Sequence, residues 1–290
     1  MTPRPAWLDK RIDRGACAAV EQLLADLRLS TVCQQALCPN IGECFARNTA
    51  TFLILGRTCT RGCRFCGIRS GRHGEPPDPG EPGRIAEAVA RLGVRHIVIT
   101  SVTRDDLPDG GAATFAATVR AIRQRTPGVA VEVLVPDFGG SEQAVDAVLD
   151  ARPNIFGHNV ETVPRLYPGI RTGAEYRRTL HVLRHASVAA PDIPVKSGVM
   201  VGLGETDGEV LAVMDDLRAA GCVFLSIGQY LAPGRSKVPV VEYVAPERFE
   251  RYRAEGFARG FAFVASGPYV RSSYLADRYT APDAACATGR

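Results

Sequence analysis

The chain has 290 residues, of which 46% are hydrophobic and 23% charged, ordinary proportions for a globular protein long enough to bury a core without disulfide staples. Its formal net charge of +4 is too mild to argue for nucleic acid. No apolar run approaches the ~18 residues that would span a bilayer, and the first residues, with Asp9 and Asp13 and no apolar core, read as neither a secretory signal nor an organelle transit peptide.

In chain order, residues 1–50 are expected to form an N-terminal extension with a helix over Arg14–Leu29, followed by three cysteines. Cys33, Cys38 and Cys44 stand at C-x4-C-x5-C. The apolar run Thr51–Gly56 then opens an alternation of strands and helices, and a second triad follows it at once. Cys59, Cys63 and Cys66 stand at C-x3-C-x2-C on one short loop. Thiolates so spaced can hold three irons of a 4Fe–4S cube, which normally takes four cysteines, and leave the fourth iron open. An open position is the mark of a metal centre that binds something small and reacts. A structural zinc site built from the six is the bland alternative. Zinc favours two C-x2-C pairs or Cys/His mixtures, and only Cys63–Cys66 fits. Free thiolates suit a reducing compartment, so the expected location is the cytoplasm. Arg57, Arg61, Arg64, Arg69 and Arg72 surround this loop with no acidic residue among them. They read either as a solvated basic loop or as cations that stabilise a reduced cluster and steer an acidic partner.

The Pro/Gly-rich stretch Gly74–Gly83 reads as a loop. Beyond it, strand-length apolar runs recur at His96–Val102, Val129–Val135, Asn154–Val160, Pro194–Val201 and Val223–Tyr230. Segments of helical spacing alternate with them: Ile85–Leu92, Ala112–Arg125, Glu142–Ala151, Tyr176–Ala186, Glu209–Ala220 and Glu247–Arg259. Six β/α units read as an α/β fold with a parallel sheet wrapped by helices. Eight would close a TIM barrel; six predict an open three-quarter (β/α)6 TIM-like barrel over 51–260, with a doubly wound sheet as the alternative. Phe261–Ser266 is a candidate final strand opening a C-terminal extension, 261–290. The cysteine loop follows the first strand at its C-terminal end, where parallel barrels gather their reactive groups. His181 and His185 sit one turn apart on an outer helix and read as structural. Cys17, Cys222 and Cys286 belong to neither triad, and Cys222 reads as packed core.

The spacing of Cys59, Cys63 and Cys66 resembles that of the radical S-adenosylmethionine (SAM) superfamily, and with the paired triads and the terminal Arg-Ser-Ser-Tyr the chain is similar to the lipoyl synthase family almost from end to end. The resemblance is carried by Cys33–Gly67, with Cys38-Pro-Asn-Ile-Gly-Glu-Cys44 and Ala50-Thr-Phe-Leu-Ile-Leu-Gly56. It continues in Ile99-Thr-Ser-Val-Thr-Arg-Asp-Asp-Leu-Pro-Asp-Gly-Gly111, His158-Asn-Val-Glu-Thr162, Lys196-Ser-Gly-Val-Met-Val-Gly-Leu-Gly-Glu205, Gly228-Gln-Tyr-Leu231 and the terminal Arg271-Ser-Ser-Tyr274. It implies insertion of two sulfur atoms, at carbons six and eight of a protein-bound octanoyl-lysine, with two 4Fe–4S clusters and SAM as cofactors. Cys59, Cys63 and Cys66 would hold the cluster that reduces SAM. Cys33, Cys38 and Cys44, joined by Ser273, would hold an auxiliary cluster that donates sulfur. From the residues alone, Ser272 and Ser273 read as a turn whose hydroxyls cap local backbone.

Thr100, Ser101, Asn159, Glu161 and Lys196 are expected at the barrel mouth, where SAM needs polar partners. The implied partners are octanoylated lipoyl domains of 2-oxoacid dehydrogenase subunits or the glycine cleavage H protein, and a low-potential donor such as ferredoxin or flavodoxin. Gly67, Gly157 and Ser236-Lys-Val238 depart from the commoner family pattern without touching a cysteine. The competing readings are another sulfur-inserting radical SAM enzyme such as biotin synthase, which the position of the extra triad ahead of the barrel disfavours, and a non-catalytic two-cluster electron carrier.

Overall fold

The computed structural model describes residues 5–8, 15–274 and 276–279; Arg14 and Cys286 lie outside them. A single 3-10 turn, Gly15–Cys17, leads into α1 (Ala18–Asp26), so the helix of the extension is shorter than the expected span. Two short helices carry the first cysteines, α2 (Val32–Gln35) and α3 (Ile41–Ala46). Thr31 caps α2 by accepting a hydrogen bond from the Gln34 amide at 3.3 Å. β1 (Thr51–Ile54) is buried along its whole length. The reactive loop is bracketed by a separate parallel pair, β2 (Thr58–Cys59) and β3 (Arg69–Ser70).

The alternation then runs α4 (Glu81–Leu92), β4 (His96–Ser101), α5 (Ala112–Arg125), β5 (Ala130–Leu134), α6 (Glu142–Leu149) and β6 (Ile155–Gly157). A short α7 (Tyr167–Ile170) precedes α8 (Tyr176–Ala189), β7 (Val195–Val201), α9 (Asp207–Ala219), β8 (Cys222–Gln229), α10 (Pro246–Ala258) and β9 (Phe263–Gly267). α4 begins inside the segment read as a loop. Pro82 sits in its first turn, where a missing amide costs nothing, and Gly93 ends it in the left-handed conformation.

Seven strands pair in the order β1-β4-β5-β6-β7-β8-β9, every pairing parallel. A doubly wound sheet reverses its strand order at a switch point. Here space follows sequence without reversal, the succession of a barrel wall. β1 and β9 stand at the two ends of the sheet, and the barrel is open between them. The seventh strand is the short run near Phe261, which pairs with β8 through Phe224–Phe263 and Gly228–Gly267. Each helix turns one apolar face to the wall. In α4 this face is Ile85, Ala86, Val89 and Leu92, all buried. Burying side chains such as Ile85 or Val89 stabilises by about 1.5–3 kcal/mol each.

The described segments before β1 and after β9 fold back onto the barrel. Arg84 of α4 donates to the Leu27 carbonyl at 3.0 Å, tying down the end of α1. Asn40 donates to the Tyr269 carbonyl at 2.7 Å, and the Tyr274 hydroxyl donates to Glu43 at 2.9 Å. These bonds join residues more than two hundred positions apart and lay the C-terminal segment against the first cysteine loop.

Candidate active site

A cavity of about 520 Å³ opens at the C-terminal ends of the strands. Cys33 and Cys38 of the first triad and Cys59, Cys63 and Cys66 of the second line it together. The two loops meet at Gly67. A side chain there would place its Cβ 3.2 Å from the Ala36 backbone and 3.3 Å from Pro233. Glycine lets α2 press against the reactive loop, which gives the departure at this position a packing reason. Gly157 has one too, since its Cβ would meet the Val133 carbonyl at 3.0 Å.

The reactive loop is held in shape by its own amides. Arg61 and Ile68 direct backbone N–H groups at the sulfurs of Cys59 and Cys66, at 3.4 and 3.5 Å. Hydrogen bonds to sulfur tune the potential of a bound cluster. Burial first, and then the charges of Cys63 and Cys59, push the Cys66 thiol up to about 12. Burial and then Cys38, with Cys44 adding less, do the same to Cys33. Mutual repulsion of this kind requires each triad to be gathered in space. Thiols so disposed lose their protons to solvent when a metal cation binds the sulfurs. Among the described residues, no three His, Cys, Asp or Glu are drawn close enough to share one metal ion. Ligands that embrace a single zinc lie within about 2.3 Å of it, whereas the corners of a cube stand farther apart.

The basic loop is only in part a solvated one. Arg61 is clamped between Asp105 and Asp137, with four hydrogen bonds of 2.7–2.8 Å. Arg57 donates to Ser30 and Arg69 to Thr58. Among the described residues, two cations face the cavity without such a clamp: Arg271, which donates to the Val270 carbonyl at 2.7 Å, and Arg171, which follows α7. It donates to the Asn159 carbonyl at 3.1 Å, Tyr167 at 2.9 Å and Thr179 at 3.2 Å, yet its Nε is buried without a hydrogen-bond partner.

Thr100, Ser101, Asn159 and Glu161 all line this cavity. Ser101 Oγ is a second buried polar atom without a partner. Glu161 is held in the left-handed region, φ 65°, unusual for a carboxylate residue and typical of strain kept at functional sites. Its amide and carbonyl bond Gly198 and Met200 of β7, at 2.9 and 2.8 Å. Burial raises its acid, against the pull of Arg171 and of Asn159 Nδ2 at 3.1 Å. Two unsatisfied polar atoms beside a carboxylate and an arginine fit a zwitterionic ligand. Apolar walls from Leu53, Val102, Leu134 and Met200 complete the space.

Lys196 is not brought there. It is the second residue of β7, near the N-terminal end, and its ammonium lies 2.8 Å from Glu132 beneath the cavity. The expectation that it contacts SAM is corrected by its depth in the strand. Ser273 lines the cavity and also a second, floor-side cavity of about 260 Å³ that Cys44 lines. Ser272 carries a bond that no motif announced: it accepts from Asn159 Nδ2 at 2.6 Å. Arg171 was equally silent, because no spacing motif contains it. His158 Nδ1 lies 2.8 Å from the Val135 carbonyl and Nε2 3.2 Å from Thr179. His181 and His185 pair with Glu142 and Asp146 on the outer helices, and Cys222 is buried core.

Residues 53–217 match the radical SAM superfamily. Lipoyl synthases of Trichlorobacter lovleyi and Geobacter metallireducens are 57% and 58% identical to this chain, each over 95% of it and over 98% and 97% of their own lengths. The lipoyl synthase of Thermus thermophilus is 54% identical over 95% of this chain and 86% of its own.

The chain belongs to the lipoyl synthase family.

It is thus a radical SAM enzyme, and the superfamily implies a 4Fe–4S cluster and SAM. Relatives this similar do not favour a biotin-synthase-like enzyme or an electron carrier. Solved structures agree on the fold alone. Methylornithine synthase superposes with a TM-score of 0.56 at 14% identity, over 87% of this chain and 73% of that one. The FeFe-hydrogenase maturase HydG gives 0.58 at 15%, over 86% and 66%. No helix among the described residues is long and apolar enough to cross a membrane.

Proposed function

We propose that this member of the lipoyl synthase family uses two 4Fe–4S clusters, one on Cys59, Cys63 and Cys66 and an auxiliary one on Cys33, Cys38, Cys44 and Ser273. Its substrate is an octanoyl-lysine on a lipoyl domain of a 2-oxoacid dehydrogenase subunit or of the glycine cleavage H protein. Its electrons come from a ferredoxin or flavodoxin in the cytoplasm. The observation that carries the reading is one cavity walled by five of the six cysteines and by Ser273.

Bound together, a reduced cluster and SAM supply a primary alkyl radical strong enough to take hydrogen from an unactivated C–H bond, and the auxiliary cluster supplies sulfide. The remaining work falls to side chains. Arg171 Nε and Ser101 Oγ offer hydrogen bonds to a carboxylate, and the Glu161 carboxylate accepts from an ammonium. Ser272, through Asn159, ties the C-terminal segment to this polar corner. The apolar wall takes the acyl chain and keeps water from the reacting carbon. A serine oxygen is a harder ligand than thiolate and a weaker partner for sulfide-bridged iron, so Ser273 would hold its iron less firmly than the cysteines would hold theirs.

Two variants separate the triads. Cys63→Ala abolishes SAM cleavage. Cys38→Ala retains substantial cleavage to 5′-deoxyadenosine yet makes no lipoyl group. The measurements are anaerobic iron and sulfide content, 5′-deoxyadenosine, and mass spectrometry of an octanoylated lipoyl-domain peptide. Lipoyl product from Cys38→Ala would eliminate the auxiliary cluster as the sulfur source.

A further inference from the structure

Beneath the active-site cavity the barrel interior holds a second layer that the reaction does not use. Side chains of a strand alternate between its faces. Gly198 and Met200 line the cavity, so Lys196 faces the same interior, one layer lower, roughly 7 Å down. By the same alternation Glu132 lies below Leu134, and Phe224 below Ser226. Register sets Lys196 beside Phe224, and Phe224 beside Phe263. This floor carries a buried charge pair. Lys196 Nζ lies 2.8 Å from one Glu132 oxygen, and His96 Nε2 lies 3.3 Å from the other.

The C-terminal segment supplies the lid of that pair. It starts at the mouth, where Ser272 meets Asn159, and descends to the floor-side cavity, which Ser273, Ala276 and Asp277 line. Tyr279 then enters the floor. Lys196 Nζ sits 3.4 Å from the centre of its ring. Phe224 and Phe263 meet the ring edge-on, with centroids 5.6 and 4.8 Å away. Tyr279 is 3% exposed, and its buried hydroxyl has no hydrogen-bond partner. The phenol is therefore seated by its ring alone: a desolvated cation on its face and two aromatics at its edges. Two other ties flank Ser273, Ser272 with Asn159 at 2.6 Å and Tyr274 with Glu43 at 2.9 Å, while the Arg47–Asp277 pair is exposed on both sides at 3.7 Å and holds little.

We infer that Tyr279, clamped over Lys196 in the barrel floor, is a positioning residue that, beyond the ties of Ser272 and Tyr274, keeps Ser273 at the Cys33, Cys38 and Cys44 site. The inference rests on the ligand role proposed above for Ser273. Five residues separate Ser273 from Tyr279. Ser272 and Tyr274 hold the segment on either side of Ser273, and Tyr279 is the last described residue that holds the chain beyond them.

The test compares Tyr279→Phe, Tyr279→Leu, Tyr279→Ala and Ser273→Ala in the full-length chain, reconstituted and metal-free. The readouts are tryptic cleavage after Arg271, 5′-deoxyadenosine and lipoyl product. Tyr279→Ala is expected to speed cleavage after Arg271 about tenfold or more even without metal, and to cut product to a similar extent, while SAM cleavage stays within about twofold. Tyr279→Phe keeps wild-type values, since the hydroxyl bonds nothing. Tyr279→Leu, which has bulk but no ring face for the cation, behaves like Tyr279→Ala. Wild-type protection and product in Tyr279→Ala or Tyr279→Leu would overturn the inference. So would equal damage from Tyr279→Phe, or loss of SAM cleavage along with product in Tyr279→Ala. Wild-type product from Ser273→Ala would instead overturn the ligand role, a separate failure read from a separate protein.

Discussion

Arg171 commits donors to three protein oxygens and leaves Nε buried and unsatisfied beside the cavity. Such a group costs stability unless a ligand completes it. A hydrogen bond to a charged partner contributes about 1.5–3 kcal/mol, so Arg171→Met should weaken SAM binding by roughly tenfold to a hundredfold. Equilibrium dialysis against labelled SAM measures this, and unchanged affinity would remove the arginine from the site. His158 supplies the pH dependence. Burial first, and then the charge of Arg171, hold its imidazole down at about 4, whereas an unfolded chain titrates near ~6.5. The folded form stays neutral while the unfolded form takes up the proton. Stability is therefore full above ~6.5 and falls as pH drops from there towards 4, by about 3 kcal/mol. Urea titrations of the metal-free chain should show that acid limb, and His158→Gln should flatten it. At this scale the sequence told most where chemistry is local. Cysteine spacing on one loop is a property of the chain itself. Arg171 and Ser272 acquire their roles only from neighbours that folding delivers, and no spacing announces them.

The reactive loop is an element whose position is set from outside. Asp105 follows β4 and Asp137 follows β5, and both bind Arg61 within the loop. Asp137 is wholly buried, and Arg61 holds its carboxyl down at about 2. The clamp is what ties Cys59–Cys66 to the neighbouring strand ends. Removing the arginine leaves a buried carboxylate with the Gly139 amide at 3.1 Å and, for a cation, the longer contact to Arg178 at 3.4 Å. Breaking such a pair from one side costs about 3–5 kcal/mol. Arg61→Leu should lose that much stability in urea unfolding and should assemble less iron on the second triad. Stability within about 1 kcal/mol of wild type would mean the clamp is ornamental. The sequence showed the arginines but not their partners, since the aspartates lie 44 and 76 residues further on. Lys196 was misplaced for a related reason. A strand pattern says which face a residue takes, but its depth depends on register with neighbours. The shortness of β6, three residues, was likewise invisible in an apolar run that continues to Val160.

At the scale of the whole molecule, strand-length runs separated by helical spacing were enough to read a parallel α/β barrel, because burial on both faces leaves that signature in composition. The seventh strand and the return of the described segments before β1 and after β9 were not legible to the same degree. They depend on contacts such as Asn40 with Tyr269 and Tyr274 with Glu43, which span almost the full chain. Those contacts matter for turnover. The segment bearing Ser273 lies against the loop bearing Cys44, and the two residues line one small cavity that adjoins the main one at Ser273. If the auxiliary cluster proposed above donates the sulfur, each chain offers one such site, and using its sulfide consumes it. Insertion breaks one C–H bond at each of the two carbons, and each break requires its own SAM. A reconstituted chain with no cluster-repair protein should then stop at about one lipoyl group, with about two SAM molecules cleaved per product. Counting lipoyl peptide, 5′-deoxyadenosine and residual iron over a single time course decides it. Sustained turnover beyond about one product per chain, with iron content unchanged, would mean that the sulfur enters from outside and that the first triad has a different task.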